Sequence, residues 1–433
     1  MADFQAPNAT EREPALGSGR GWILAAVAIV ALGFFLRFET FHRRALWWDE
    51  QVTYRIATGV QTPQEDIENP VLHPLIVALF VRSLDAVSAV RLPSVVFGVV
   101  SLVLLVRVGR ELHGLPVGVL SAFMMATSAY PIYYSQDGRA YALLLALVLG
   151  QYLLLFSFVR RRRPAPLVGF ALLGAMSLYA HHVGAIVQVQ ILVTVLAWFA
   201  VELRKTERSQ VLTRVRSLVP LAVAFAAIAL VYLPQTLRTL RWAGRMQDPS
   251  DRFRLVPSPR FFHELFARWG SGPDWTLYVY EACFLLGLAL VLRDRRRATV
   301  LVPWLCAPFV AFAVVPFSHF FDIRYVMSSL PAFYLVVALG MVSLGEAVRS
   351  WLRRREVRDT VAARWALVAS ISPALIFGIA NGVHYLTFRK IPVRCSQFFS
   401  RPEILDLHDG FCRDHVMLNS LIDGDEYMLS RVE

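Results

Sequence analysis

The sequence predicts an all-α polytopic membrane protein, and three observations carry that prediction. Apolar residues (AVILMFWYC) make up 56% of the 433 positions, and the mean hydropathy of +0.50 is more than a water-soluble core could bury. The apolar residues fall in runs of membrane-crossing scale. The arginines between those runs gather in every second loop, as the positive-inside rule requires of cytoplasmic loops.

Taken in order, residues 1–20 are polar and rich in Pro, Gly and Ala, and are expected to be a disordered cytoplasmic segment. The first span is 21–36. Bulky and charged residues follow it (Phe35, Leu36, Arg37, Phe38, Glu39) with no small-residue cleavage site, so it is expected to stay as an anchor. A polar stretch then runs over 39–91, the first outer loop. Within it the apolar piece 75–81 falls short of the roughly 20 residues a crossing needs and reads as an interfacial helix. The alternative, a short tilted span, would invert everything downstream.

The remaining spans are expected at 92–106, 115–132, 141–159, 165–180, 183–200, 217–233, 276–292, 299–316, 325–345 and 365–384, about eleven in all. With this set, Arg107 and Arg110, Arg160 to Arg163, Arg204 to Arg216, Arg293 to Arg297, and Arg349 to Arg358 share one face. That face is the cytoplasm. The N-terminus is then cytoplasmic, and the loop 39–91, a second long loop 234–275 and a short tail 385–433 are extracytoplasmic. The plasma (inner) membrane is the expected location.

The net charge of +12 rests on arginine, since Lys205 and Lys390 are the only lysines. In a membrane protein the topology rule accounts for such a balance better than nucleic acid does, so no nucleic-acid partner is expected. Cys283 and Cys306 lie in apolar spans and read as buried thiols. Cys395 and Cys412, in the tail, enclose a loop for which a disulfide would stabilise by about 3 kcal/mol. No Cys-x-x-Cys or His/Cys metal spacing occurs.

Arginines also stand on the outer face, against the topological bias: Arg139, Arg238, Arg241, Arg245, Arg252, Arg254 and Arg324. Anionic phosphate is the simplest reason for them, because guanidinium pairs with it bidentately. The adjacent acids Asp49 and Glu50 follow Trp47 and Trp48, an aromatic pair placed for the membrane interface. Transfer of a sugar from a polyprenyl phosphate needs one carboxylate as base for the acceptor hydroxyl and cations for the leaving phosphate. It does not need the paired acids of glycoside hydrolysis. His181-His182 at a helix corner and Tyr133-Tyr134 read as interfacial residues.

Trp48-Asp49-Glu50, His73-Pro74-Leu75, Arg91-Leu92-Pro93-Ser94, Ser135-Gln136-Asp137-Gly138-Arg139-Ala140-Tyr141, and Arg324-Tyr325 with Pro331 resemble the GT-C glycosyltransferases. The nearest branch is the bacterial relatives of protein O-mannosyltransferases and of the aminoarabinose transferase that modifies lipid A. The resemblance is strong over about 20–200, thinner through 300–335, and weak in 235–275 and the tail. It implies a GT-C fold and transfer from a polyprenyl-phosphate sugar to a lipid-linked, glycan or protein acceptor at the outer face, with inversion.

The resemblance also assigns residues. Asp49 would be the catalytic base and Glu50 its partner, orienting the acceptor or a metal. His73, Arg139, Tyr141 and Arg324 would bind the donor phosphate. No cofactor is assigned, and the candidate ligands for a divalent cation are Glu50 and Asp137. Asp137 stands where relatives carry Glu, and Leu75 where they carry a second Pro. A multi-pass transporter or lipid flippase is the alternative from another class, but such proteins place ionisable groups near mid-membrane, and here the spans are nearly free of charge.

Overall fold

The structure, a computed structural model, describes residues 19–42, 46–62, 70–161, 163–243, 258–270, 274–314 and 323–388. The expected N-terminal disorder and the tail disulfide fall almost wholly or wholly outside them. Sixteen α-helices and no strand occur among the described residues: α1 (Gly19–Phe38), α2 (Trp48–Ala57), α3 (Leu72–Ala78), α4 (Ala86–His113), α5 (Leu115–Thr127), α6 (Ala129–Gln136), α7 (Tyr141–Arg161), α8 (Pro164–Ala180), α9 (Val183–Leu203), α10 (Val211–Arg216), α11 (Val219–Ala243), α12 (Pro259–Gly270), α13 (Asp274–Arg293), α14 (Arg295–Val314), α15 (Leu330–Arg354) and α16 (Asp359–Phe388).

Nine helices among the described residues are long and apolar enough to cross a membrane. The bent pair α5–α6 makes a tenth, and the apolar α8, at 17 residues, occupies the one expected span still unaccounted for. Each expected span therefore has its helix, and the chain is a multi-pass membrane protein. The first loop holds α2 and α3, and α3, at seven residues, is too short to cross.

Three local expectations are corrected. Residues 115–132 do not form one straight span: α5 and α6 meet at Ser128 with a bend of 64°. Pro131 explains the break, since its ring has no N–H and clashes with the carbonyl of residue 127 in a continuous helix. α11 carries on past Pro234 to Ala243, so the second long loop is shorter than 234–275. Cys283 is buried as expected, but Cys306 is exposed, because an apolar span can turn its face to lipid instead of to protein.

α15 is the central post, its span 94% buried. Small residues let it meet α13 at backbone distance: a Cβ on Gly287 would strike the Val336 carbonyl, and one on Gly340 the Cys283 carbonyl. Such close approach is how helices associate where lipid tails are as apolar as leucine. α1 lies at the periphery, its span only 17% buried, yet its Arg37 is fully buried. That guanidinium donates to the Met125 (2.8 Å), Ala126 (3.2 Å) and Gly33 (3.1 Å) carbonyls and to the Ser135 hydroxyl (3.1 Å). It thereby satisfies carbonyls that the break in α5–α6 leaves without helical donors, which a bend within a membrane requires.

Candidate active site

At the end of the bundle carrying α2 and α3, the first loop meets the α6–α7 junction and α8, and the 3-10 turn Ile323–Ser329 that leads into α15 packs on α7 and α9. α2 begins at Trp48 and places Asp49 and Glu50 in its first turn, where acids complement the helix dipole. From there the two neighbours part company.

Glu50 turns inward and is fully buried. Arg91, on α4, donates to it from Nε (2.7 Å) and from its terminal nitrogen (2.6 Å), the forked pairing a planar guanidinium makes. The Gly138 N–H donates to Oε1 (2.7 Å) and the Trp47 N–H to Oε2 (3.2 Å). Gly138 has to be glycine here, since a Cβ would strike Val90 and lie 3.0 Å from Glu50 Oε1. Arg91 also reaches the Phe41 carbonyl (2.9 Å). Glu50 thus joins the end of α1, the start of α2, α4 and the α6–α7 junction in one knot.

Asp49 faces outward, its side chain 32% exposed, with its carboxylate 3.6 Å from the Arg139 guanidinium. Arg139 also donates to the Asp49 carbonyl (3.3 Å). The proposed base and the proposed phosphate ligand are therefore neighbours, although ninety positions separate them in the chain.

His73 does not present a charge. It is 3% exposed, and burial, then the Arg139 charge, hold its imidazole down at about 3. Ser94 gives its hydroxyl proton to the Arg139 carbonyl (3.0 Å) and lies 3.4 Å from His73 Nε2. Nε2 is then the donor, and the neutral tautomer follows from the network. His73 and Ser94 support the backbone of Arg139 from behind.

Tyr141 packs beside His181 (ring centroids 5.1 Å apart), and Arg324 lies over Tyr141 (5.9 Å) and Tyr325 (5.7 Å). His181 accepts from the Val183 N–H at Nδ1 (3.1 Å). Burial, then His182 and the charges of Arg139 and Arg324, hold its ring well below the ordinary value, so the ring is neutral and Nε2 carries the proton. The sequence reading took His181 for an interfacial residue at a helix corner, and the structure sets it beside Tyr141. That reading also gave Arg91 no role, although the Arg-Leu-Pro-Ser motif contained it.

The two carboxylates named for a metal do not fit one. Glu50's oxygens accept four donors, and Asp137 Oδ1 accepts the Trp47 indole N–H (2.9 Å). Among the described residues no group of three or more His, Cys, Asp or Glu is placed to hold an ion. Burial, with the Glu50 charge beside it, raises the Asp137 carboxyl to about 7, while the Trp47 hydrogen bond and the charges of Arg139 and Arg324 act the other way.

Residues 68–233, less than half of the chain, match the family described as dolichyl-phosphate-mannose-protein mannosyltransferase. No curated protein matches the chain by sequence. Among solved structures, the fold is similar to that of ArnT from Cupriavidus metallidurans bound to undecaprenyl phosphate. That match has a TM-score of 0.56 at 13% identity and covers 86% of this chain and 78% of that one. It is also similar to the archaeal oligosaccharyltransferase AglB from Archaeoglobus fulgidus, in complex with an inhibitory peptide and a dolichol-phosphate. There the TM-score is 0.55 at 12% identity, over 84% of this chain and 56% of that one. This chain spans little more than half the length of the archaeal protein. What is shared is the GT-C fold.

Proposed function

We propose that the protein is a GT-C glycosyltransferase that moves a sugar from a polyprenyl-phosphate donor to a lipid-linked, glycan or protein acceptor at the extracytoplasmic face. The observation that carries the reading is the pairing of a partly exposed carboxylate, Asp49, with the Arg139 guanidinium 3.6 Å away. The pairing brings a carboxylate able to serve as base and a cation able to receive phosphate to one site. The family match over 68–233 and the fold shared with proteins bound to undecaprenyl phosphate and dolichol-phosphate support the same reading.

In this mechanism the Asp49 carboxylate takes the proton of the acceptor hydroxyl, whose oxygen forms the new bond to the anomeric carbon. The bond from that carbon to the phosphate oxygen breaks, and its electron pair leaves with the phosphate. Arg139 and Arg324 take up the developing charge, and the His181 Nε2–H donates to a phosphate oxygen. The hydroxyl enters opposite the leaving group, so configuration inverts. Glu50 and Arg91 hold the two loops in register, and Tyr141 gives the Arg324 guanidinium an aromatic face to rest on.

The test supplies membranes with a panel of labelled polyprenyl-phosphate sugars and compares wild type with Asp49→Asn and Arg139→Ala. Asp49→Asn is expected to lose roughly 10²–10⁴-fold in turnover with little change in donor KM. Arg139→Ala is expected to raise donor KM, since phosphate is present before and after transfer. Near-wild-type turnover by a folded Asp49→Asn protein would place the base elsewhere.

A further inference from the structure

The 3-10 turn Ile323–Ser329 carries Arg324 and Tyr325 near one end and Ser328 and Ser329 at the other. Runs of 3-10 helix longer than three or four residues are uncommon, because their hydrogen-bond geometry is poor. A run of seven residues therefore has to be held by its surroundings. The holding is done at the serine end, where Ser328 and Ser329 are both buried.

On α14, the Trp304 indole N–H donates to the Ser328 carbonyl (2.8 Å), and the Trp304 carbonyl accepts from the Ser329 hydroxyl (3.2 Å). On α9, Gln190 Oε1 accepts the Ser328 hydroxyl (3.3 Å). The rest of the network fixes the orientation of that amide. Thr194 gives its hydroxyl proton to the Gln190 carbonyl (3.0 Å), so the Tyr152 hydroxyl, 3.3 Å away, donates to Thr194 Oγ1. Tyr152 then has no second proton to give, and Gln190 Nε2 is its donor (3.3 Å), which leaves Oε1 for Ser328. Tyr152, on α7, also stacks on the Trp304 indole (centroids 3.8 Å apart, 14°).

Three spans thus close on two successive residues of a short turn. The Gln190 bond and both Trp304 bonds end on the turn and not on another long helix, so what they fix is the turn's rotation and depth. Arg324 stands four positions before Ser328, about 8 Å along a 3-10 axis at roughly 2 Å per residue. Its guanidinium lies over the Tyr141 ring of α7 (5.9 Å) and over Tyr325 (5.7 Å). A turn free to rotate would carry that guanidinium off Tyr141, and a shift of about 1 Å is enough to spoil a positioned contact.

We infer that Gln190 and Trp304 are positioning residues for Arg324: by gripping Ser328 and Ser329 they set where its guanidinium meets the donor phosphate. The inference rests on the proposed function and adds the residues that tune donor affinity from inside the bundle.

The experiment uses full-length protein in nanodiscs and measures equilibrium binding of labelled undecaprenyl phosphate, alongside kcat and donor KM with polyprenyl-phosphate sugars. Gln190→Leu keeps the bulk of the side chain and removes its amide, and Ser328→Ala removes only the hydroxyl. Each is expected to weaken binding by about five- to tenfold with kcat little changed. Ser328→Thr, which keeps the hydroxyl, is expected to bind as wild type does. The deciding comparison repeats both substitutions in an Arg324→Ala background, where they are expected to have no further effect on binding. Residues that only hold the fold together would show their full loss there too, and that result would overturn the inference. So would wild-type binding by Gln190→Leu and Ser328→Ala. The smaller change, Ser328→Ala, keeps the comparison decisive if Gln190→Leu fails to fold. Loss of binding that is coupled to Arg324, in a protein that transfers no sugar, would sink the enzymatic reading and leave the positioning standing. Transfer with a donor KM that neither substitution moves would do the reverse.

Discussion

Glu50 and Arg91 are bound to each other so fully that neither can be removed alone without leaving a charge stranded inside the protein. Breaking such a pair costs about 3–5 kcal/mol. Glu50→Gln and Arg91→Met are each expected to lower the thermal midpoint in detergent and to lose activity in proportion to the folded fraction lost. Asp49→Asn is expected to leave the midpoint nearly unchanged. A Glu50→Gln protein as stable as wild type but inactive would make Glu50 a chemical participant. Asp137 gives a pH signature. Its carboxyl is raised to about 7 by burial and Glu50, so folding favours the protonated form. Its contribution is fully present below about pH 4 and is lost as pH rises through about 7. Wild type should therefore lose more of its thermal midpoint than Asp137→Asn does across that window. Parallel curves would show that Asp137 does not titrate there.

At the scale of elements, the bend between α5 and α6 aims the Ser135–Arg139 stretch at the first loop, and Arg37 makes the bend tolerable. Arg37→Leu keeps the apolar character of α1 but strips donors from the Met125 and Ala126 carbonyls. At about 1–3 kcal/mol for each buried acceptor left without a partner, the variant should unfold at lower temperature and lose donor affinity, since Arg139 follows the bend. Hydrogen exchange should show α6 opening before α5. A variant with wild-type stability would mean that water or Ser135 can replace the guanidinium.

For the whole molecule, the basic helix ends and the site end lie on opposite faces of the bundle. A single cysteine at Gly59, exposed near the end of α2, should react with an impermeant maleimide on intact cells, and one at Glu207 should react only after lysis. The opposite pattern would invert the topology and promote α3 to a crossing. The spans were legible because hydropathy is a local property, and so was the short α3. The acid pair and Arg139 were legible from residue type and order. What the sequence hid was pairing at a distance. Nothing near Glu50 says that its partner is Arg91, forty-one positions on. The bend had a sign, Pro131, but an apolar run of the right length masked it. His181 joins this cluster only because the fold brings α7 and the 3-10 turn beside it.

Arg37 also bears on the order in which the chain is made. It stands at the end of α1, but two of the carbonyls it binds lie 88 and 89 residues downstream. Until α5 arrives, the nascent α1 has a cation at its end that still lacks the Met125 and Ala126 carbonyls, and it must hold that charge at the water surface or against the insertion machinery. The first helix is therefore not settled by its own translation. Chains arrested before Met125 should be extracted or degraded faster than chains arrested after Gln136, and Arg37→Leu should erase the difference.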